Sequence, residues 1–243
     1  MSNVSKVFQI ITVISINLTI LAAVALGILV YAPFSPLPNA WNPRTALVTT
    51  DPITPATRYK LYRIEDDLAA CLTHLDDIGA TYEKRPDFAV DENCGITGRV
   101  LLQSLAKTTL PKMETQCQIA LRLALYDQHI LQPAADEIFG QGLKRINTQG
   151  SYNCRLANTG DPNETRYSLH ATARAVDISG FELEDGTEIT LTDHWASDDK
   201  KAEFLRRTRD GGCKLFTLTL SPDYNIQHAD HFHFDTGKNY GCR

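Results

Sequence analysis

A chain of 243 residues has room for one sizeable domain or two small ones, and its 43% hydrophobic and 22% charged content is that of an ordinary folded protein. The net charge of −5, with no basic stripe along the chain, argues against a nucleic-acid partner. Composition alone does not separate an enzyme from a binding module.

Residues 1–6 form a short tail. From Val7 to Tyr31 there is no charged residue, and Ile20 to Val30 is almost entirely aliphatic. About 20 such residues cross a bilayer. The core is long for a cleavable signal, and Tyr31-Ala-Pro-Phe follows it where a small-residue cleavage site would stand. Residues 7–31 are therefore expected to be an uncleaved transmembrane anchor. Lys6 and the amino terminus keep the tail cytoplasmic, so everything after residue 32 should face outward. All six cysteines lie beyond the anchor and none forms a C-x-x-C pair, which predicts up to three disulfides. Near-neighbour pairing gives Cys71–Cys94, Cys117–Cys154 and Cys213–Cys242. Residues 32–57, with six prolines among Asn, Ser and Thr, read as an extended linker to a domain over 58–243.

Helical spacing marks Tyr62–Ile78, stopped by Gly79, and Met113–Leu131, with a short helix from Pro133 closed by Gly140. Phe88–Val100 carries Cys94-Gly95 and leads into a strand. Leu143–Ile146, Ser151–Arg155, Ala175–Gly180 and Glu188–Leu191 read as strands, with a hairpin signal at Asp185-Gly186. A helix over Asp199–Arg209 is expected to end at Gly211-Gly212, followed by a strand over Leu215–Leu220. Helices first and strands later predict an α+β fold: a mainly antiparallel sheet with helices packed against it, preceded by one transmembrane helix.

Four of the seven histidines stand in two short stretches, S-L-H-A-T-A-R-A-V-D (168–177) and H-A-D-H-F-H-F-D (228–235). His170 and Asp177 offer an imidazole nitrogen and a carboxylate oxygen, two of the three ligands of an open catalytic zinc site, and a late histidine would complete it. Along H-F-H, side chains alternate, so His231 and His233 point to one side. Asp235 either orients a ligand imidazole or is a strand-end charge, and His194-Trp195 either lines a cleft or packs away from it. His129 is expected to be a surface or packed histidine.

Ser168, His170, Ala175 and Asp177 resemble the S-x-H-x-x-G-x-A-x-D signature of D-Ala-D-Ala metallopeptidases, with Ala173 where that family has glycine. The spacing of His228, His231 and His233 resembles that of the penicillin-insensitive murein endopeptidases. From about residue 68 to 243 the chain is similar to the bacterial extensin-like C-terminal domain family, through C-G at 94–95, G-S-Y-N-C-R at 150–155, G-F-x-L-x-D-G at 180–186, F-L-R-R-T-R-D-G-G-C at 204–213 and P-D-Y-N-x-x-H-A-D-H-F-H-F-D at 222–235.

The resemblance implies Zn2+ held by His170, Asp177 and His233, with His228 and His231 beside it. The general base is then either Asp230, one methylene shorter than the general-base glutamate of the D-Ala-D-Ala metallopeptidases, or His231. Arg155 resembles the arginine that stabilises the oxyanion. The implied activity is hydrolysis of amide bonds in peptidoglycan stem peptides or cross-links, by a single-pass inner-membrane protein whose domain lies in the periplasm. The alternative is a non-catalytic envelope module, with a retained or structural zinc, that binds cell wall or a partner protein.

Overall fold

A computed structural model describes residues 3–32 and 35–243; Met1 and Ser2 of the expected tail and Pro33-Phe34 of the expected linker lie outside it. The first helix, α1 (Asn3–Tyr31), is unbroken. Its stretch Lys6–Tyr31 has a mean hydropathy of 2.5 and buries nothing against the rest of the protein. At 1.5 Å per residue, 26 residues extend about 39 Å, enough to cross a bilayer.

The segment expected to be an extended linker is not free chain over its described part. Leu47, Thr49 and Thr54 are buried. The Thr49 carbonyl accepts from Gln128 Nε2 at 3.0 Å and His129 Nε2 at 2.7 Å. A proline-rich composition reports irregular backbone, and irregular backbone can still lie on a domain.

Thr54 then caps α2 (Pro55–Arg63) in a reciprocal capping box. The helix expected over 62–78 is in fact two helices. Asp67 accepts from Ala70 N at 3.0 Å and starts α3 (Leu68–Ile78), which Gly79 ends at φ 80° as expected. Short strands follow: β1 (Thr81–Lys84), β2 (Phe88–Ala89), β3 (Gly95–Ile96) and β4 (Arg99–Ser104). β5 (Thr109–Gln116) takes the first four residues of the helix expected from Met113, because Met113 pairs with Leu102 across the sheet. The helix proper, α4 (Cys117–Tyr126), is buried along its whole length and passes through a π turn (Asp127–Leu131) into α5 (Gln132–Phe139), closed by Gly140.

The later half supplies β6 (Leu143–Gly150), β7 (Ala175–Leu183), β8 (Glu188–Thr190), α6 (Leu191–His194), α7 (Lys200–Leu215), β9 (Leu218–Leu220), β10 (Phe232–Asp235) and β11 (Gly241–Cys242). Ser151–Arg155, expected as a strand, is a loop. Gly211 and Gly212 do not end α7 but lie inside it. A Cβ on Gly211 would come within 2.1 Å of Ile130, and one on Gly212 within 2.7 Å of Phe234. They let the helix approach the sheet, and the strand expected from Leu215 shrinks to three residues.

The main sheet runs β1-β4-β5-β6-β7-β10-β9-β11, with β8 also on β7. Of these pairings only β5–β6 and β9–β11 are parallel, so the fold is α+β with a mainly antiparallel sheet, as expected. Val176, Ile178, Phe232 and Phe234 point into the core against the helices and are fully buried. The alternate residues of the same strands, Asp177 and His233, point to the other face. The disulfides are Cys71–Cys117, Cys94–Cys154 and Cys213–Cys242. Only the last was expected from near-neighbour pairing. α3 packs on α4, and the β2–β3 hairpin lies over the loop carrying Cys154, so proximity in space overrides proximity in sequence.

Candidate metal centre

The stretch from Ser168 to Asp177 folds as a turn feeding a strand. Ser168 Oγ accepts from the His170 amide at 3.3 Å and caps a 3-10 turn over Leu169–Thr172. Ala173 closes that turn at φ 52°, the one non-glycine residue with positive φ among the described residues. The reversal throws the chain into β7, and two residues into the strand Asp177 returns to face His170. His233 reaches the same point from β10, where it sits directly opposite Asp177 in the antiparallel register.

His170 Nε2 lies 3.2 Å from His233 Nδ1 and 3.1 Å from Asp177 Oδ2. His233 Nδ1 lies 2.9 Å from Asp177 Oδ1. Tetrahedral zinc with bonds of about 2.0–2.1 Å holds its ligand atoms roughly 3.3 Å apart. The donor spacing therefore fits such an ion, and the outer contacts fit it too. His170 Nδ1 donates to the Ser151 carbonyl at 2.8 Å, which leaves the Nε2 lone pair facing the centre. His233 Nε2 faces Asp235 Oδ2 at 3.3 Å, so its Nδ1 faces inward. Each imidazole is oriented by an acceptor behind it, the arrangement that fixes metal-binding tautomers.

The electrostatics agree with a site built for one positive charge. Burial opposes ionisation of Asp177, yet hydrogen bonds to His170 and His233 hold its carboxyl well below the usual range. Burial likewise opposes a charged His233, but Asp177 and Asp235 together raise it to about 9. A proton on His233 Nδ1 then occupies the place a metal cation would take.

Beside this trio stand the loop histidines. His231 Nδ1 donates to Asp230 Oδ1 at 2.8 Å and its Nε2 lies 3.7 Å from Asp177 Oδ1. Asp230 is 58% exposed and meets the centre only through His231. His228 is held by Asn225 Oδ1 at 2.6 Å. Burial, with His233 and His231 nearby, pushes His228 down to about 4. Asp177, His228, His231 and His233 open onto a cleft of about 280 Å³ that Arg155 and Tyr224 also line. Arg155 donates to the Leu156 carbonyl at 3.2 Å and has no carboxylate within ion-pair distance among the described residues.

Three residues that steady these side chains escaped the sequence reading: Ser151, Asn225 and Gln149, whose Nε2 lies 3.4 Å from Asp230. Ser151 lies in the G-S-Y-N-C-R motif, but it acts through its backbone carbonyl, which every residue type possesses. His194 and Trp195 do not line the cleft: Trp195 packs on Phe232 and donates to Asp223, while His194 meets Lys201. A second cluster, Asp91 with Cys94 and Cys154, brings three donor atoms together, but both sulfurs are tied in a disulfide and offer no thiolate.

A family model described as "Extensin-like protein C-terminus" matches residues 69–243. No curated protein and no solved structure matches the chain.

Proposed function

Because this chain belongs to the extensin-like protein C-terminus family and carries a preformed His-Asp-His trio, we propose that it is a zinc-dependent peptidase. Its substrates would be amide bonds in peptidoglycan stem peptides or cross-links. The apolar α1 would anchor it in the inner membrane with the domain in the periplasm. Three disulfides suit such an oxidising compartment. The carrying observation is the trio itself: the two imidazole nitrogens lie 3.2 Å apart, each is within 3.1 Å of one oxygen of Asp177, and each ring is oriented from behind.

His170, Asp177 and His233 would hold the ion. When bound, zinc supplies Lewis-acid polarisation of a carbonyl and a water acidified towards neutrality. The remaining work falls to the chain's own groups. His231 is the better candidate base, since Asp230 holds its Nδ1 proton and leaves Nε2 free to take a proton at the centre and return it to the leaving amine. Asp230 orients that ring. Arg155 reaches the cleft without a carboxylate partner and can meet negative charge growing on the scissile oxygen. His228, held neutral, can hydrogen-bond a polar substrate group.

One observation favours the non-catalytic reading, a wall- or partner-binding module: Asp230, which corresponds to the general-base glutamate of the D-Ala-D-Ala metallopeptidases, is mostly solvent-facing. A single experiment separates the two. The full chain is purified oxidised in detergent, its zinc is counted, and muropeptides are incubated with the wild type and Asp177→Ala. New products that vanish in the variant support the peptidase. Stoichiometric zinc with no new products refutes it and leaves the binding module.

A further inference from the structure

On the opposite face of the same two strands lies a second cleft, of about 700 Å³, between α2, α4 and the ends of β7 and β10. Arg174 and Thr236 flank the Ala175–Asp235 register pair and stand on the face of Val176 and Phe234, away from Asp177 and His233. Four cations (Arg58, Arg122, Arg174, Lys238) and two carboxylates (Glu65, Asp66) line it, an excess of two positive charges in a chain whose net charge is −5.

The cations are not used up by the protein. Arg122 is only 3% exposed. Its Nε and Nη1 donate to the Leu215 and Gln118 carbonyls, while Nη2 makes no hydrogen bond among the described residues. Arg58 stacks on Tyr240 at 4.7 Å and donates through Nη2 to the Cys213 carbonyl, but its buried Nε has no partner. Glu65 pairs with Arg174 and is also the one carboxylate whose charge favours the buried Arg122, so two guanidiniums share it. Lys238 is exposed with no carboxylate in ion-pair range among the described residues. One carboxylate shared by two guanidiniums leaves the buried cluster short of negative charge, which is costly unless something supplies it. We propose that this cleft is a binding site for a phosphate group, whose two negative charges balance the excess and whose oxygens match guanidinium forks.

The group has two reachable sources. One is free phosphate. The other is a lipid headgroup, because a chain of contacts joins α2 to the end of α1: Arg63 donates to the Arg44 carbonyl at 3.0 Å, and Arg44 to the Tyr31 carbonyl at 3.1 Å.

The test is calorimetric titration of inorganic phosphate into the full chain in phosphatidylcholine nanodiscs. We expect one phosphate per chain, bound about 10-fold or more weakly by Arg58→Gln and a few-fold more weakly by Lys238→Gln. Arg122→Gln should abolish binding if it folds; the two partly exposed variants decide the matter if it does not. Absence of binding, or affinity unchanged in both Arg58→Gln and Lys238→Gln, overturns the site. Repeating the titration with phosphatidic acid in the discs identifies the source. At least a 10-fold loss of apparent phosphate affinity, relative to discs with phosphatidylglycerol, assigns the lipid headgroup, and no such loss assigns free phosphate. Zinc content should be the same in all three variants, which keeps this site separate from the trio.

Discussion

The two groups of side chains at the candidate centre are held differently. His170, Asp177 and His233 hang from a capped turn and from strands paired on both sides, and their free atoms are tied to Ser151 and Asp235. His228 ends a short 3-10 turn (Ile226–His228) and His231 and Arg155 hang from loops, and their supports are side chains at the rim or, for Arg155, a neighbouring carbonyl. The first group can hold a geometry without help from a ligand. The second can adjust to one. That division matches the demands of a metal site, which needs donor atoms fixed to within a fraction of an ångström, and of a substrate cleft, which does not.

The sharpest break of this comparison is between His233→Ala and His231→Ala. Losing a strand-borne donor should cost more than about 100-fold in zinc affinity, because removing a mere supporting contact costs 10–100-fold. Hydrolysis should vanish with the metal. His231→Ala should keep stoichiometric zinc and lose about 10²–10⁴-fold in rate, the usual worth of a positioned base. Zinc counted by plasma emission beside muropeptide turnover reads both. Loss of zinc in His231→Ala would erase the distinction between the two groups.

Asp235→Asn tests the support rather than the ligand. It should weaken zinc about 10–100-fold and leave the fold intact, measured by competition with a chromophoric chelator. The pH dependence follows from the same contacts. In the metal-free protein His233 stays protonated until pH rises to about 9. Zinc must displace that proton, so uptake at pH 7 should release about one proton from this residue. Apparent affinity should rise with pH about tenfold per unit up to that point and flatten above it. Calorimetry in buffers of different ionisation enthalpy counts the proton. In Asp235→Asn the plateau should begin at lower pH, since one of the groups holding the charge is gone.

The trio was legible in the sequence because its members obey local rules. A cap, a reversal and two residues of strand place Asp177 against His170, and alternation along β10 turns His233 to the same face as Asp177. The partners of those residues were not legible. Ser151 contributes a carbonyl, and Asn225 acts only once the 221–228 loop has closed. The break between α2 and α3 was missed because their apolar positions run on in helical phase, while the capping side chain of Asp67 decides the boundary. Residues 113–116 fit a helix by spacing and a strand by pairing, and only β4 arbitrates. Disulfide connectivity was beyond reach for the same reason: Cys71 meets Cys117 through helix packing that no local pattern encodes.

The smallest expected effect concerns Ala173, where the related signature has glycine. Holding alanine at φ 52° costs about 1–2 kcal/mol. Ala173→Gly would relieve that. It would also remove a fully buried methyl group, worth about 0.8 kcal/mol, and add roughly 0.5–1 kcal/mol of unfolded-chain freedom. The terms nearly cancel, so the melting temperature should move by only a few degrees and zinc affinity should not change. Ala173→Val sharpens the point, since a branched side chain at positive φ in a closed space has no compensating gain. It should lower the melting temperature clearly and loosen His170 along with the turn. If instead Ala173→Gly raised zinc affinity tenfold, the alanine would be holding His170 away from its best position, and the strand-borne group would be less preformed than its hydrogen bonds imply.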